Sequence, residues 1–159
     1  MAKRIFLDIH NESSSYTLVG LSTQLKDYHL SFLLNKIPGL QFARFEDLPV
    51  LFPDLETPAA YSLFTSSDEE AFNTYYLISN RNQDHFLVPS LKQTDYLMII
   101  EGPFKKKQKD ELLKALRAIP NLLLAVEVNP TTIKQFESLI TDLEIHIMNV
   151  TKHSIRELS

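Results

Sequence analysis

"AAYSLFTSSDEEAFNTYYLISNRNQDHFLVP", residues 59–89, is the stretch on which the fold class turns. Its segments Ala59–Ser66, Ala71–Ser79 and His85–Pro89 are rich in Tyr, Phe and branched side chains, which fit a pleated, half-buried surface. Between them lie "SDEE" and "NRNQD", compositions that favour tight turns because Asn and Asp bond their own backbone and tolerate left-handed geometry. The pattern predicts an antiparallel meander.

Upstream, Ile5–Ile9 reads as a short strand and "YTLVGLS", 16–22, as a buried one. "TQLKDYHLSFLLNKIPG", 23–39, places Leu25, Tyr28 and Phe32, and again Leu30, Leu33, Leu34 and Ile37, at helical spacing, and Pro38 and Gly39 stop it. "LQFARFEDL", 40–48, predicts a strand. In "PVLFPDLETP", Pro49, Pro53 and Pro58 oppose regular structure while Val50, Leu51, Phe52 and Leu55 call for burial.

Downstream, "DYLMIIEG" predicts a central strand, "KKKQKDELLKALRAI" a helix with Leu112, Leu113, Leu116 and Ile119 inward, and "NLLLAVEV" a strand. "TTIKQFESLI" follows as a helix and "EIHIMNV" as a last strand. The expected fold is α+β: a mixed, mainly antiparallel sheet with about three helices packed on it, in one domain over 1–159. The alternating C-terminal third leaves room for parallel pairing.

Composition narrows the chemistry. With 44% hydrophobic and 23% charged residues the chain is an ordinary globular one, long enough to bury a core without staples. It has no cysteine, which excludes thiolate metal sites, iron–sulfur clusters, thiol nucleophiles and disulfides. Three glycines and no Walker, Gly-x-Gly-x-x-Gly or Gly-x-Ser-x-Gly motif remove most support for nucleotide or acyl-transfer catalysis. The five histidines are scattered without metal-ligand spacing, so neither a metal nor a cofactor is expected. A net charge of -4 disfavours nucleic acid as the partner. No run approaches a membrane span, and the apolar run Ile5–Leu7 is too short for a signal peptide, so the expectation is a cytoplasmic protein.

Immediately before the apolar run "LMII" stands "VPSLKQTDY", Val88–Tyr96. Pro89 lacks the N–H a central ladder needs, so the preceding strand ends there and the next begins at Asp95 and Tyr96. An Asp at that place accepts turn N–H groups, and a Tyr buries its ring with its hydroxyl near solvent. Here the sequence resembles the IPExxxVDY family, uncharacterised bacterial proteins named for that signature. Pro89, Asp95 and Tyr96 match, Val88 and Thr94 replace Ile and Val, and Ser90 stands in place of Glu. "LVGLSTQLKDYHLSFLLNK" and "YYLISN" are similar to further segments of the family. The resemblance implies no activity, cofactor or catalytic residue, and Ser90 removes a carboxylate that acid–base chemistry at that position would require.

Three candidate surfaces follow. The first is the proline-rich segment 46–58, whose Val50, Leu51, Phe52 and Leu55 form either one closed end of the core or a contact for a protein partner or a second copy. The second is a pocket of Tyr28, Lys92, Asp95 and Tyr96 for a small ligand or substrate. The third is the basic run Lys105, Lys106, Lys107 and Lys109, which would serve an RNA-associated factor or else form a solvated helix start. Asn80 is explained by turn geometry. The leading expectation is an interaction or accessory protein rather than an enzyme.

Overall fold

The computed structural model describes residues 15–158; the expected strand at Ile5–Ile9 lies outside them. Strands β1 (Tyr16–Thr23), β2 (Ala43–Val50), β3 (Ala59–Asp68), β4 (Asn73–Ser79), β7 (Tyr96–Glu101) and β8 (Leu122–Val128) form one sheet in the order β2-β3-β4-β7-β1-β8. Every neighbouring pair in it is antiparallel. Helix α1 (Asp27–Leu34) follows β1, α2 (Lys106–Arg117) joins β7 to β8, and α3 (Phe136–Leu158) follows β8. The α+β expectation holds. The β7-α2-β8 unit does run its two strands in the same direction, but β1 lies between them and is antiparallel to both.

The apolar runs are continuous because the middle of the sheet is covered on both faces. Successive strand side chains point to opposite faces. Leu97 and Ile99 of β7, with Tyr76 and Ile78 of β4, enter one core with Phe136, Leu139, Ile140 and Leu143 of α3. Met98 and Ile100, with Tyr75 and Leu77, enter a second core with Leu30 and Leu34 of α1 and Leu112 and Leu116 of α2. The sheet is therefore the middle layer of three.

Several elements differ from the sequence reading. His85–Pro89 does not extend the meander; β5 (Arg81–Asn82) and β6 (His85–Phe86) make a separate two-stranded ribbon, and β4 pairs directly with β7. Proline explains this, since Pro89 instead opens a 3-10 turn, Pro89–Leu91. Glu144–Val150 is not a strand but part of α3, because Phe136, Leu139, Ile140, Leu143 and Ile147 already set a helical stripe toward the sheet. On α1, Tyr28 and Phe32 face solvent, 67% and 61% exposed, and only the Leu30 and Leu34 face is buried. Pro49 and Val50 belong to β2, which tolerates proline because it is an edge strand and carries a register shift between Phe45 and Leu48.

Helix α3 has 23 residues, about 34 Å, whereas six strands span about 24 Å. It starts beside β1, where Phe136 meets Tyr16 edge to face. By His146 it has reached edge strand β2, where His146 Nε2 donates to the Glu46 carbonyl at 2.9 Å. Beyond that point Thr151–Ser154 are all exposed, with no sheet left for them to cover.

Candidate functional site

The Val88–Tyr96 segment is held from one side chain. Asn80 is fully buried; its amide donates to the Leu91 and Thr94 carbonyls, both at 2.9 Å, and its side-chain oxygen accepts the Val88 N–H at 2.8 Å. Its backbone N–H donates to the Asp95 carbonyl and its own carbonyl accepts from Leu87. Asn80 is thus not a left-handed turn residue, as its place between two strands suggests, but the tie that shapes the loop. It is absent from the positive-φ residues, whereas Gln83 in the same turn is among them.

The other motif side chains are similarly engaged. Asp95 accepts the Thr23 N–H at 2.8 Å, and Tyr96 donates to the Leu25 carbonyl at 2.8 Å. Burial first, then the charges of Asp27 and Asp95, push the Tyr96 phenol up to about 12, so it stays a neutral donor. Thr94 is buried over Gly20, where an added Cβ would lie 3.0 Å from its Oγ1. Pro89, Ser90, Lys92 and Gln93 are exposed. Tyr28, Lys92, Asp95 and Tyr96 therefore line none of the five clefts described for this surface. These bonds join the Val88–Tyr96 segment to the end of β4, to β1 and to the start of α1.

The basic run is divided by the start of α2. The Lys105 N–H donates to Gln108 Oε1 at 2.8 Å, which caps the helix. Lys109 pairs with Glu127 of β8 at 3.0 Å. Lys105, Lys106 and Lys107 are exposed.

Four side chains that the sequence reading did not single out converge where α3 crosses β1, β4 and β7. Tyr16 Oη lies 2.9 Å from Glu144 Oε1 and 3.2 Å from Glu101 Oε2, and Tyr76 Oη lies 3.4 Å from Glu101 Oε1. Burial, reinforced by these carboxylates, raises both phenols far above their ordinary range. Tyr16 thus donates from β1 to Glu144 of α3 and ties the helix to the sheet, while Tyr76 donates from β4 to Glu101 of β7 within the sheet. Beside them opens a cleft of about 650 Å³ lined by Tyr16, Asn129, Thr131, Phe136, Glu137 and Glu144. The only sequence cue was Glu101 closing an apolar run; Glu144 sat in the segment read as a strand.

The proline-rich segment divides in two. Phe52 is half-buried, its ring 4.6 Å from that of His85 and 6.4 Å from that of Tyr61, and Leu55 is also half-buried. His85 Nε2 lies 2.9 Å from Asp54 Oδ2, which closes the loop over this end of the core and holds the Asp54 carboxyl below its usual range. Phe52 accordingly packs against the core. Leu51 turns outward, 64% exposed. With Pro49 and Val50 it lines a cleft of about 310 Å³ whose other wall is Asp142, Ile145, His146 and Asn149 of α3. Ile145 and Met148 are each about half exposed, so the apolar surface continues along the helix.

Among the described residues no group of three His, Asp or Glu side chains is placed to hold a metal, and no helix is long and apolar enough to cross a membrane. Comparison of the chain with protein-family models, with curated proteins and with solved structures gave no match.

Proposed function

We propose that this protein is a small cytoplasmic accessory domain that works by binding a protein, not by catalysis, on the scaffold of the IPExxxVDY family it resembles. One observation carries the reading: Leu51 and Ile145, from a proline-stiffened loop and a long helix, form one exposed apolar surface at the sheet's edge. Apolar side chains brought together outside the core mark contact sites more often than isolated ones do. Pro49 and Pro53 restrict the loop before any partner arrives, which lowers the entropy lost on association. The polar candidates are less available, since Asp95, Tyr96 and Lys109 already have partners within the chain.

The test is affinity capture from host lysate with the native chain and with a Leu51→Ser, Ile145→Ser variant, each with and without nuclease. A protein that survives nuclease and is lost from the variant, with unchanged unfolding midpoint, is the expected result. Equal recovery on both chains would overturn the assignment of this surface. Loss on nuclease alone would point to RNA and to Lys105, Lys106 and Lys107.

A further inference from the structure

We infer that the occupant of this surface is a second copy of the same chain, with two α3 helices packed antiparallel about a two-fold axis that passes between Ile145 and Met148. The inference rests on the reading above, that the Leu51 and Ile145 surface is a protein contact, and names its partner.

The face of α3 that meets the sheet is Phe136, Leu139, Ile140 and Leu143, so at 100° per residue Ile145 and Lys152 fall almost diametrically opposite, with Met148 beside them. That outer stripe is exposed along its whole described length. Ile145 and Met148 are one turn apart, and in an antiparallel pair each lies against the other's counterpart. A two-fold contact needs this self-complementarity, because residue i meets residue j and j meets i.

Charge then fixes the direction. The same register sets Lys152 of one copy against the turn that carries Asp142 of the other, and symmetry forms that pair twice. A parallel pair would set Lys152 against Lys152 and Asp142 against Asp142. No Lys or Arg engages Asp142 at helical spacing, since positions 138, 139, 145 and 146 are Ser, Leu, Ile and His, and the His146 Nε2 is bonded to the Glu46 carbonyl. Leu51 shares a cleft with Ile145 and Asp142, so it flanks the seam and adds apolar contact there.

Sedimentation velocity of the full chain over a broad concentration range tests this. The native chain is expected to show a monomer–dimer equilibrium. Asp142→Lys alone and Lys152→Asp alone should each weaken it roughly ten-fold, since each turns two attractive pairs into two repulsive ones. The combined Asp142→Lys, Lys152→Asp chain should recover native affinity, and Ile145→Ser should abolish association. All of these sites are exposed or half-exposed, so unfolding midpoints serve as the control for folding. A native chain that is monomeric at every concentration overturns the second-copy inference; the surface itself then stands or falls on the capture experiment. Dimers indifferent to both charge changes overturn the antiparallel α3 arrangement.

Discussion

Asn80 and Val88 lie eight residues apart and are joined by a 2.8 Å hydrogen bond from the Val88 N–H to the Asn80 side-chain oxygen, inside a core that leaves Asn80 no exposed surface. The same amide closes the far end of the loop at Leu91 and Thr94. One side chain therefore fixes where β7 begins and how it meets β4 and β1. That is a physical reason for polar residues to crowd the start of the most apolar strand.

Replacing Asn80 by Ala should strand two carbonyls and one N–H away from water. Each unsatisfied buried group costs about 1–3 kcal/mol, so a loss of about 3 kcal/mol or more is expected. Ser90→Glu, which places a carboxylate at an exposed position of the same segment, should change stability by no more than about 0.5 kcal/mol. Denaturant unfolding of both variants measures the contrast. An Asn80→Ala chain as stable as the native one would show that water or a rearranged loop replaces these bonds.

Gly102 has a φ of 104°, and a Cβ there would sit 2.3 Å from the Phe72 carbonyl oxygen at the end of the β3–β4 turn. Gly102→Ala thus combines a left-handed strain with a clash against backbone that cannot rotate aside. Expression should yield little folded protein, or a chain several kcal/mol less stable by denaturant unfolding. Ala at Gly39, where a Cβ would come no closer than 3.6 Å to the Asp68 side-chain oxygen, should be milder, because strain acts there without the clash.

The tyrosines predict an alkaline limit. Tyr16, Tyr76 and Tyr96 have phenols raised by burial and by nearby carboxylates, and Tyr61 and Tyr75 are raised chiefly by burial. A folded value above the unfolded one of about 10 means the folded chain holds protons that the unfolded chain releases. The stability these groups contribute is complete below about pH 10 and falls as pH rises toward the folded values. Tyrosinate absorbance should therefore rise together with the loss of far-ultraviolet circular dichroism. Gradual ionisation at about pH 10 with the fold intact would show that burial does not hold these protons.

Much of the sheet was readable because turn compositions and runs of Tyr, Phe and branched residues recur along 59–101. The C-terminal helix was not: Ile145, Ile147 and their neighbours alternate like a strand over seven residues, and only the longer stripe from Phe136 to Ile147 shows the helix. That misreading also hid half of the candidate surface. Leu51 was legible as an apolar residue in an irregular loop, but its companion Ile145 lay in the segment assigned to a strand. Asn80 was hidden for a different reason, since its partners are 7 to 15 residues away and nothing in a turn composition marks a buried amide.

Strand β8 lies at an edge of the sheet with Leu123 and Leu124 exposed. Leu21, opposite Ala125, turns its carbonyl toward Asp95 on the β7 side. In an antiparallel ladder the Ala125 carbonyl then points away from β1, toward the open side of the sheet. There Arg117 of α2 covers it, with Nε and Nη2 donating at 3.2 and 2.9 Å. The opposite edge is protected otherwise, by Pro49, by the register shift in β2 and by His146 on the Glu46 carbonyl. Arg117 is thus the guard of a strand that has few other charges. Arg117→Ala should leave stability within about 1 kcal/mol, because water can reach the freed carbonyl, yet open the edge to pairing with another chain. Light scattering during incubation, with Lys152→Asp present in both chains to suppress helix association, should show growth only in the Arg117→Ala chain. Arg117→Lys should fall between them, since one ammonium cannot reproduce the forked contact. If the Ala variant stays at the native size throughout, the guanidinium is not what protects this edge.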